Sequence, residues 1–330
     1  MNNQAQLDLF CGYGKKREQR TDSKTCGMLF AGGGGKSMGA IAAGYTPAWE
    51  IEIDPAKAQV LHGNTHAKVY AAPVEDIDPE YLPGVDLLCA SPPCQQYSVA
   101  RKKHLEVRKD SDVGLEILRY AELVGPRHIL IENVRGYMDS FVFAQIVAGL
   151  QAYDYKVEYG IYDAADFGVP QFRKRLICRA TMAEGFYPLI KTQEQVSWDS
   201  VLTELLGNFI DNPWVDWQRR KLPATLKKSI LAPGGNSSFA YKVTGLPSYT
   251  QTCSVAVRPQ RIWLHPCPGE DASPAEGTVV QLSTRGIARI CSFPDTYNLP
   301  ISDHLSGEIL GNSFPPLMAQ RFIETFMDTD

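Results

Sequence analysis

The sequence predicts an α/β fold: a mostly parallel, Rossmann-like sheet carrying a second, smaller, loop-rich domain. From Thr25 to about Arg179, short apolar runs alternate with segments of helical length, which is βαβ order. A glycine-rich turn follows the first apolar run, at the strand's carboxyl end, where such sheets hold their ligands. After Ala180 the texture shifts to Pro, Gly, Ser, Thr, Trp and Tyr with few periodic runs.

Residues 1–25 are polar, centred on Lys15-Lys16-Arg17-Glu18-Gln19-Arg20, and read as a mobile arm. Residues 26–180 form the first domain. Strands are expected at Cys26–Phe30, Pro47–Ile53, Val85–Cys89, His128–Ile131, Val157–Ile161 and Arg175–Cys178, each a short apolar run. Between them, Ser37–Ala43, Pro55–Asn64, Val113–Val124 and Val142–Gln151 have helical length and patterning. Residues 181–282, with turn clusters at 232–236 and 265–269, make the second domain. Helical patterning returns in 283–330, clearest at Arg285–Cys291 and Leu317–Phe326.

Composition narrows the class. With 44% hydrophobic and 21% charged residues, the 330-residue chain is neither collagenous, coiled-coil nor largely disordered. No apolar run approaches the ~20 residues of a membrane helix, so a cytoplasmic protein without membrane contact is expected. Eight cysteines without Cys-x-x-Cys spacing suggest neither a disulfide framework nor a metal site. A net charge of −4 argues against coating nucleic acid through a global field but leaves room for a local basic cleft.

The turn Ala31-Gly32-Gly33-Gly34-Gly35-Lys36-Ser37 points backbone amides at whatever binds the following helix. It is not a P-loop, because Phe30 stands where that motif needs its first glycine. About 20 residues on, the second strand ends in Glu50-Ile51-Glu52-Ile53-Asp54, where a carboxylate conventionally accepts from ribose hydroxyls; a nucleoside ligand is implied. Pro92-Pro93 fix the backbone just before Cys94 and present its thiol at a strand's carboxyl end, which makes Cys94 the candidate nucleophile. Cys26, Cys89, Cys178 and Cys291 read as inert buried residues. Glu132 ends the next strand and would share the crevice of Cys94, while Arg173 and Arg175 alternate onto one face of an extended segment.

From residue 27 onward these blocks, in order, closely resemble the DNA cytosine-5 methyltransferases of bacterial and phage type. Phe30–Gly39 is similar to that family's AdoMet-binding turn, Asp76-Ile77 to its adenine-contacting pair, and Pro93-Cys94-Gln95 to its nucleophile motif. Glu132-Asn133-Val134, and Gln171 with Arg173 and Arg175, resemble two further motifs. Arg285–Arg289 with Phe293-Pro294-Asp295 looks like the helix supporting the recognition domain, and Gly311-Asn312-Ser313 with Pro315-Pro316 like the closing motif.

The resemblance implies that S-adenosylmethionine (AdoMet) is held by Phe30, Ala31, Gly32, Gly34, Gly35, Lys36, Glu52, Ile53, Asp76, Ile77, Pro93, Asn312 and Ser313. It implies that Cys94 adds to cytosine C6, Glu132 bonds the N3 edge, Arg175 offsets charge near O2, and Arg173 supports the pocket. The partner implied is duplex DNA with the target base flipped out. Gln95, Ser98, Arg101, Lys102 and Lys103 would lie on a basic loop over it, and Arg258 and Arg261 would read bases. Exposed phosphate contacts are expected at Arg219-Arg220-Lys221 and Lys227-Lys228, and 247–252 resembles a recognition-domain landmark. The same resemblance suggests a nucleoid-associated monomer, functionally paired with a restriction endonuclease.

Lys36 departs from the pattern, standing where the family has a hydrophobic residue. It reads as surface-directed; a sharper alternative is that it pairs with an extra carboxylate on a carboxylated AdoMet, making the transferred group carboxymethyl. Leu9–Gly14 looks like a second glycine motif, but no helix or acid follows and it receives no role. Rival readings are a tRNA cytosine-5 methyltransferase and a catalytically silent DNA-binding subunit. The first lacks its branch's Cys-Phe-Thr signature here, and intact Cys94, Glu132 and Arg175 weigh against the second.

Overall fold

Short branched runs pair into a seven-stranded sheet in the order β3-β2-β1-β4-β5-β7-β6. The computed structural model describes residues 24–93, 113–234, 240–253 and 259–327. The strands are β1 (Thr25–Leu29), β2 (Thr46–Ile51), β3 (Lys68–Tyr70), β4 (Leu87–Ala90), β5 (His128–Val134), β6 (Lys156–Asp163) and β7 (Lys174–Thr181). Pairing is parallel from β3 through β5, and β7 runs antiparallel to both β5 and β6. Central β4 is buried at every residue, as a parallel strand covered on both faces should be. The sequence did not suggest β3, because Lys68-Val69-Tyr70 is too short and too polar to register as a strand.

Helices α1 (Gly35–Ala42), α2 (Pro55–Thr65), α3 (Glu116–Val124) and α4 (Phe141–Ala152) fall at the expected places. α2 begins with Pro55 at its first position, and the Asp54 carboxylate accepts the Ala56 and Lys57 amides. The Ser140 hydroxyl accepts the Phe143 amide and opens α4 in the same way. One face of the sheet packs Trp49, Tyr120, Ile131 and Phe143. The other packs Met28, Leu130 and Phe167 against Phe322, from the far end of the chain.

A second, antiparallel sheet in the order β11-β10-β8-β9 comprises β8 (Ile230–Ala232), β9 (Lys242–Val243), β10 (Arg261–Leu264) and β11 (Thr278–Gln281). The one-turn α5 (Asp216–Arg219) precedes it, and Trp214, Leu226, Ile230 and Trp263 fill a small core of its own. Helices α6 (Thr284–Ile290), α7 (Asp303–Asn312) and α8 (Pro316–Ile323) follow. α7 lies within the helical patterning of 283–330 but outside its two clearest segments, because its apolar pattern is weak; its start is marked by Ser302, which accepts the Leu305 amide.

The last two helices explain why the turn before α1 is so rich in glycine. A Cβ at Gly33 would lie 2.2 Å from Ile309, one at Gly35 2.2 Å from the Phe314 carbonyl oxygen, and one at Gly39 2.5 Å from Ala319. These three glycines let α7 and α8 approach the main chain of the turn. The Tyr297 hydroxyl adds a hydrogen bond of 2.6 Å to the Gly33 carbonyl. Gly35→Ala sets a methyl against main chain that has no rotamer to yield, and is expected to cost about 1–3 kcal/mol. A thermal melt should show a lower midpoint, and an unchanged one would mean that this packing is looser than described.

Candidate active site

The strand register lines up the site. Leu29 pairs with Ala90, and Ala90 with Ile131, so the next residues, Phe30, Ser91 and Glu132, stand abreast at the carboxyl ends of three adjacent strands. Phe30 is a non-glycine residue in the left-handed region, with φ of 52°, and turns the chain out of β1. Gly32 and Gly34 continue the turn at φ of 59° and 81°, a conformation glycine adopts without strain. Gly34 is also the N-cap of α1.

Glu52 braces this turn. Its Oε2 accepts the Gly32 amide at 2.7 Å and its Oε1 the Asp54 amide at 3.0 Å. Each carboxylate oxygen keeps a second lone pair for a ligand hydroxyl. A Cβ built on Gly32 would meet nothing within 4 Å, and the neighbouring Ile53 is 65% exposed, a large apolar side chain bare beside a buried acid. Open space, an apolar surface and a carboxylate with acceptor capacity fit a nucleoside cofactor. The main chain at Asp76-Ile77 is held by Arg119 and Tyr120, which donate to the Val74 and Ile77 carbonyls, and leaves Asp76 exposed. Asn312 is exposed at the end of α7, while the Ser313 hydroxyl turns inward to the Ile309 carbonyl at 2.6 Å.

Glu132 is buried at the tip of β5 with two partners. Ser91 Oγ donates to its Oε2 at 2.7 Å and Arg175 Nε lies 3.0 Å from its Oε1. Asn133 Nδ2 donates to the Pro92 carbonyl at 3.0 Å and ties the Pro92-Pro93 turn to β5. Side-chain hydroxyl, carboxylate and guanidinium thus converge beside the segment that leads to Cys94. Cys94 itself lies outside the described residues, with Gln95, Ser98, Arg101, Lys102, Lys103, Arg258, residues 1–23 and the glycines near Cys11.

Arg173 has partners other than those expected. It is 1% exposed, and its guanidinium donates to the main-chain carbonyls of Gln251, Gly311 and Ser313. It works as a clamp between the start of β7, the second domain's side of the molecule and the end of α7. Gln171 continues the seam: its Oε1 accepts the Gln251 amide and its Nε2 donates to the Ile290 carbonyl. Beside it the Phe172 amide donates to the Ser248 carbonyl and the Ser248 amide to the Pro170 carbonyl, so segment 247–252 is stitched to 170–173.

Two expectations are corrected. Arg261 is not placed to read bases: it is 9% exposed and donates to the Asn212 and Pro213 carbonyls and to Asn212 Oδ1, bracing β10 against the 212–213 chain. Lys36 is not surface-directed. It is 4% exposed, with Nζ 3.3 Å from the Phe30 carbonyl oxygen. Burial pushes its ammonium below the usual lysine range, against the opposing pull of nearby acids, Glu132 foremost. Arg219, Arg220, Lys221, Lys227 and Lys228 are exposed. Cys26, Cys89, Cys178 and Cys291 are buried; burial pushes the Cys89 and Cys178 thiols up to about 12 and Cys291 to about 11.

Sequence reading passed over Glu50, because an acid in mid-strand looks like an ordinary edge charge. It is fully buried under the cofactor turn, and the Thr65 hydroxyl donates to its Oε2 at 2.6 Å. Burial raises its carboxyl from 4.5 to about 7, with Thr65 and Lys36 pulling the other way. A raised carboxyl binds its proton more tightly in the folded state, so its favourable contribution is full below about 4.5 and is lost as pH rises through about 7. Glu50→Gln should therefore gain stability over the parent at pH 8, by up to about 3 kcal/mol, with the gain shrinking towards pH 5. Thermal melts of both proteins across that range test it; a gain that is flat with pH would sink the argument.

Comparison with known proteins gives the chain's family and fold. The chain matches the C-5 cytosine-specific DNA methylase family over residues 25–327. It is 27% identical over 319 residues to the type II methyltransferase M.AplI of Arthrospira platensis, covering 88% of this chain and 82% of that one. It is 26% identical over 309 residues to M.NgoMIV of Neisseria gonorrhoeae, covering 88% and 93%. Among solved structures, the S. pombe Dnmt2 methyltransferase superposes with a TM-score of 0.57 at 19% identity, over 91% of this chain and 97% of that one.

Proposed function

Because the chain belongs to the C-5 cytosine-specific DNA methylase family, we propose that it methylates C5 of a flipped-out cytosine in duplex DNA through a covalent adduct of Cys94 with C6. The observation that carries the reading is the Ser91–Glu132–Arg175 cluster at the tip of β5, tied through Asn133 to the Pro92-Pro93 turn that leads to Cys94.

Cytosine C5 is a poor nucleophile until something adds at C6. The Cys94 thiolate forms the S–C6 bond, and the electron pair moves to C5. Glu132 meets the N3 and amino edge of the ring, with Ser91 and Arg175 fixing its orientation, and Arg175 offsets charge growing towards O2. Glu52, Phe30, Ile53, Asp76, Ile77 and the Asn312–Ser313 segment would hold AdoMet, which when bound would supply the methyl group to C5 from its sulfonium and leave as S-adenosylhomocysteine. Transfer of the C5 proton to water then returns its electron pair to the C5–C6 bond and expels the Cys94 thiolate from C6. Arg173 acts as a positioning residue, holding the cofactor-side carbonyls of Gly311 and Ser313 to β7.

Residues 181–282 serve as the target-recognition part, with Arg219, Arg220, Lys221, Lys227 and Lys228 exposed for phosphates. The relatives' designation as type II methyltransferases favours a role as the modification partner of a restriction nuclease. One cleft accepts one flipped base, so the working unit is a monomer. The burial of Lys36 favours a carboxylated cofactor as a second reading, in which the group transferred is carboxymethyl.

Nucleoside mass spectrometry of duplex DNA incubated with the protein and AdoMet tests the proposal. The expected product is 5-methylcytosine, accompanied by an irreversible protein adduct when the DNA carries 5-fluorocytosine. Methylation of tRNA with none of DNA would overturn it.

A further inference from the structure

The proposed reaction makes no use of Lys36. An ammonium carries three donors, and Lys36 Nζ spends one of them, on the Phe30 carbonyl at 3.3 Å. Among the described residues no carboxylate pairs with it directly, although it is 4% exposed. Its place adds to the cost. Lys36 is the second residue of α1, where the helix dipole opposes a cation, and the Gly34 cap has no side chain to offset it. A buried cation so placed is stable when an anion completes its shell.

The surroundings say which anion. Phe30, whose carbonyl Lys36 holds, stands abreast of Ser91 and Glu132 at the strand ends, and Glu132 is the charge that acts most strongly on the ammonium. The turn above is open at Gly32. Lys36 Nζ therefore lies against the carboxyl end of β1, where the glycine turn begins and where a bound sulfonium cofactor would also come. Two cations in one desolvated pocket repel, and a carboxylate between them removes the repulsion.

We infer that Lys36 receives a carboxylate of the sulfonium cofactor, an assignment that rests on the methyltransferase reading above. Such a group has two sources: the amino-acid arm that AdoMet shares with S-adenosylhomocysteine, or an acid on the transferred group of a carboxylated AdoMet. Both offer the same charge-assisted hydrogen bond.

Isothermal titration calorimetry on the full chain separates them. The ligands are S-adenosylhomocysteine, 5′-methylthioadenosine, which has no amino-acid arm, and carboxylated AdoMet; the variants are Lys36→Met and Lys36→Arg. If the arm is the partner, Lys36→Met weakens S-adenosylhomocysteine roughly ten- to a hundredfold and leaves 5′-methylthioadenosine unchanged. If the transferred group is the partner, only carboxylated AdoMet loses that factor. In either case Lys36→Arg, which keeps the charge, retains most of the preference. Equal weakening of all three ligands in Lys36→Met, or of none, overturns the inference, the first because it marks damage to the turn. Wild-type protein that binds none of them overturns the cofactor reading itself, and this inference with it.

Discussion

Cys94→Ala protein forms no detectable 5-methylcytosine in DNA, a loss of roughly 10⁴-fold or more, because the enamine needed at C5 has no other source. The same variant leaves no adduct on 5-fluorocytosine DNA. Glu132→Gln should cost less, roughly 10²–10⁴-fold, since the amide keeps its contacts with Ser91 and loses only the proton chemistry and the charge paired with Arg175. Single-turnover rates measured on one duplex substrate check both. A Cys94→Ala protein that still methylates at a tenth of the parent rate would remove the thiol from the mechanism.

The second large effect is on stability. Arg173→Met keeps the bulk of the stem but strips donors from the buried carbonyls of Gln251 and Gly311 and the half-buried carbonyl of Ser313. Each orphaned acceptor costs about 1–3 kcal/mol, so a loss of several kcal/mol is expected. Because two of the three carbonyls flank Asn312, binding of S-adenosylhomocysteine should weaken as well. Denaturant titration and calorimetry measure the two losses. Weakened DNA binding with unchanged stability would show instead that Arg173 acts at the base pocket.

Some of this was legible in the chain and some was not, for physical reasons. The strands that bury both faces announce themselves, as Leu87-Leu88-Cys89 does, because a covered parallel strand has no room for polar residues. Strand β3 and helix α7 do not, since one is three residues long and the other buries Ser306, Gly307 and Gly311 beside Ile309 and Leu310, which breaks up its apolar stripe. Glu132 and Arg175 meet because their strands are neighbours and their residues sit at paired ends; Val134 lies opposite Arg175 in the ladder. Arg173, two residues earlier, precedes β7 and turns to another set of partners, which strand alternation alone could not show.

Lys36 and Arg261 were misjudged for one reason. Both are long cations, and the general tendency of such residues is to reach solvent or a polyanion. Burial of a charge depends on acceptors brought from elsewhere in the chain: the Phe30 carbonyl for one, Asn212 and Pro213 for the other. Burial also leaves the Arg261 guanidinium less basic than a free one.

The glycine turn closed by Ile309, Phe314, Ala319 and Tyr297 bears on when the protein becomes competent during its synthesis. The Pro-Cys nucleophile segment is translated more than 200 residues before α8, a lag of roughly 10–50 s at ordinary elongation rates. Until α7 and α8 leave the ribosome, the glycine turn of the nascent chain lacks the surfaces it packs against. A ribosome stalled between β7 and α6 therefore releases a product that carries Cys94 but an unpacked glycine turn. Completion of the chain, and not of β5, is what finishes the turn on which the proposed activity depends.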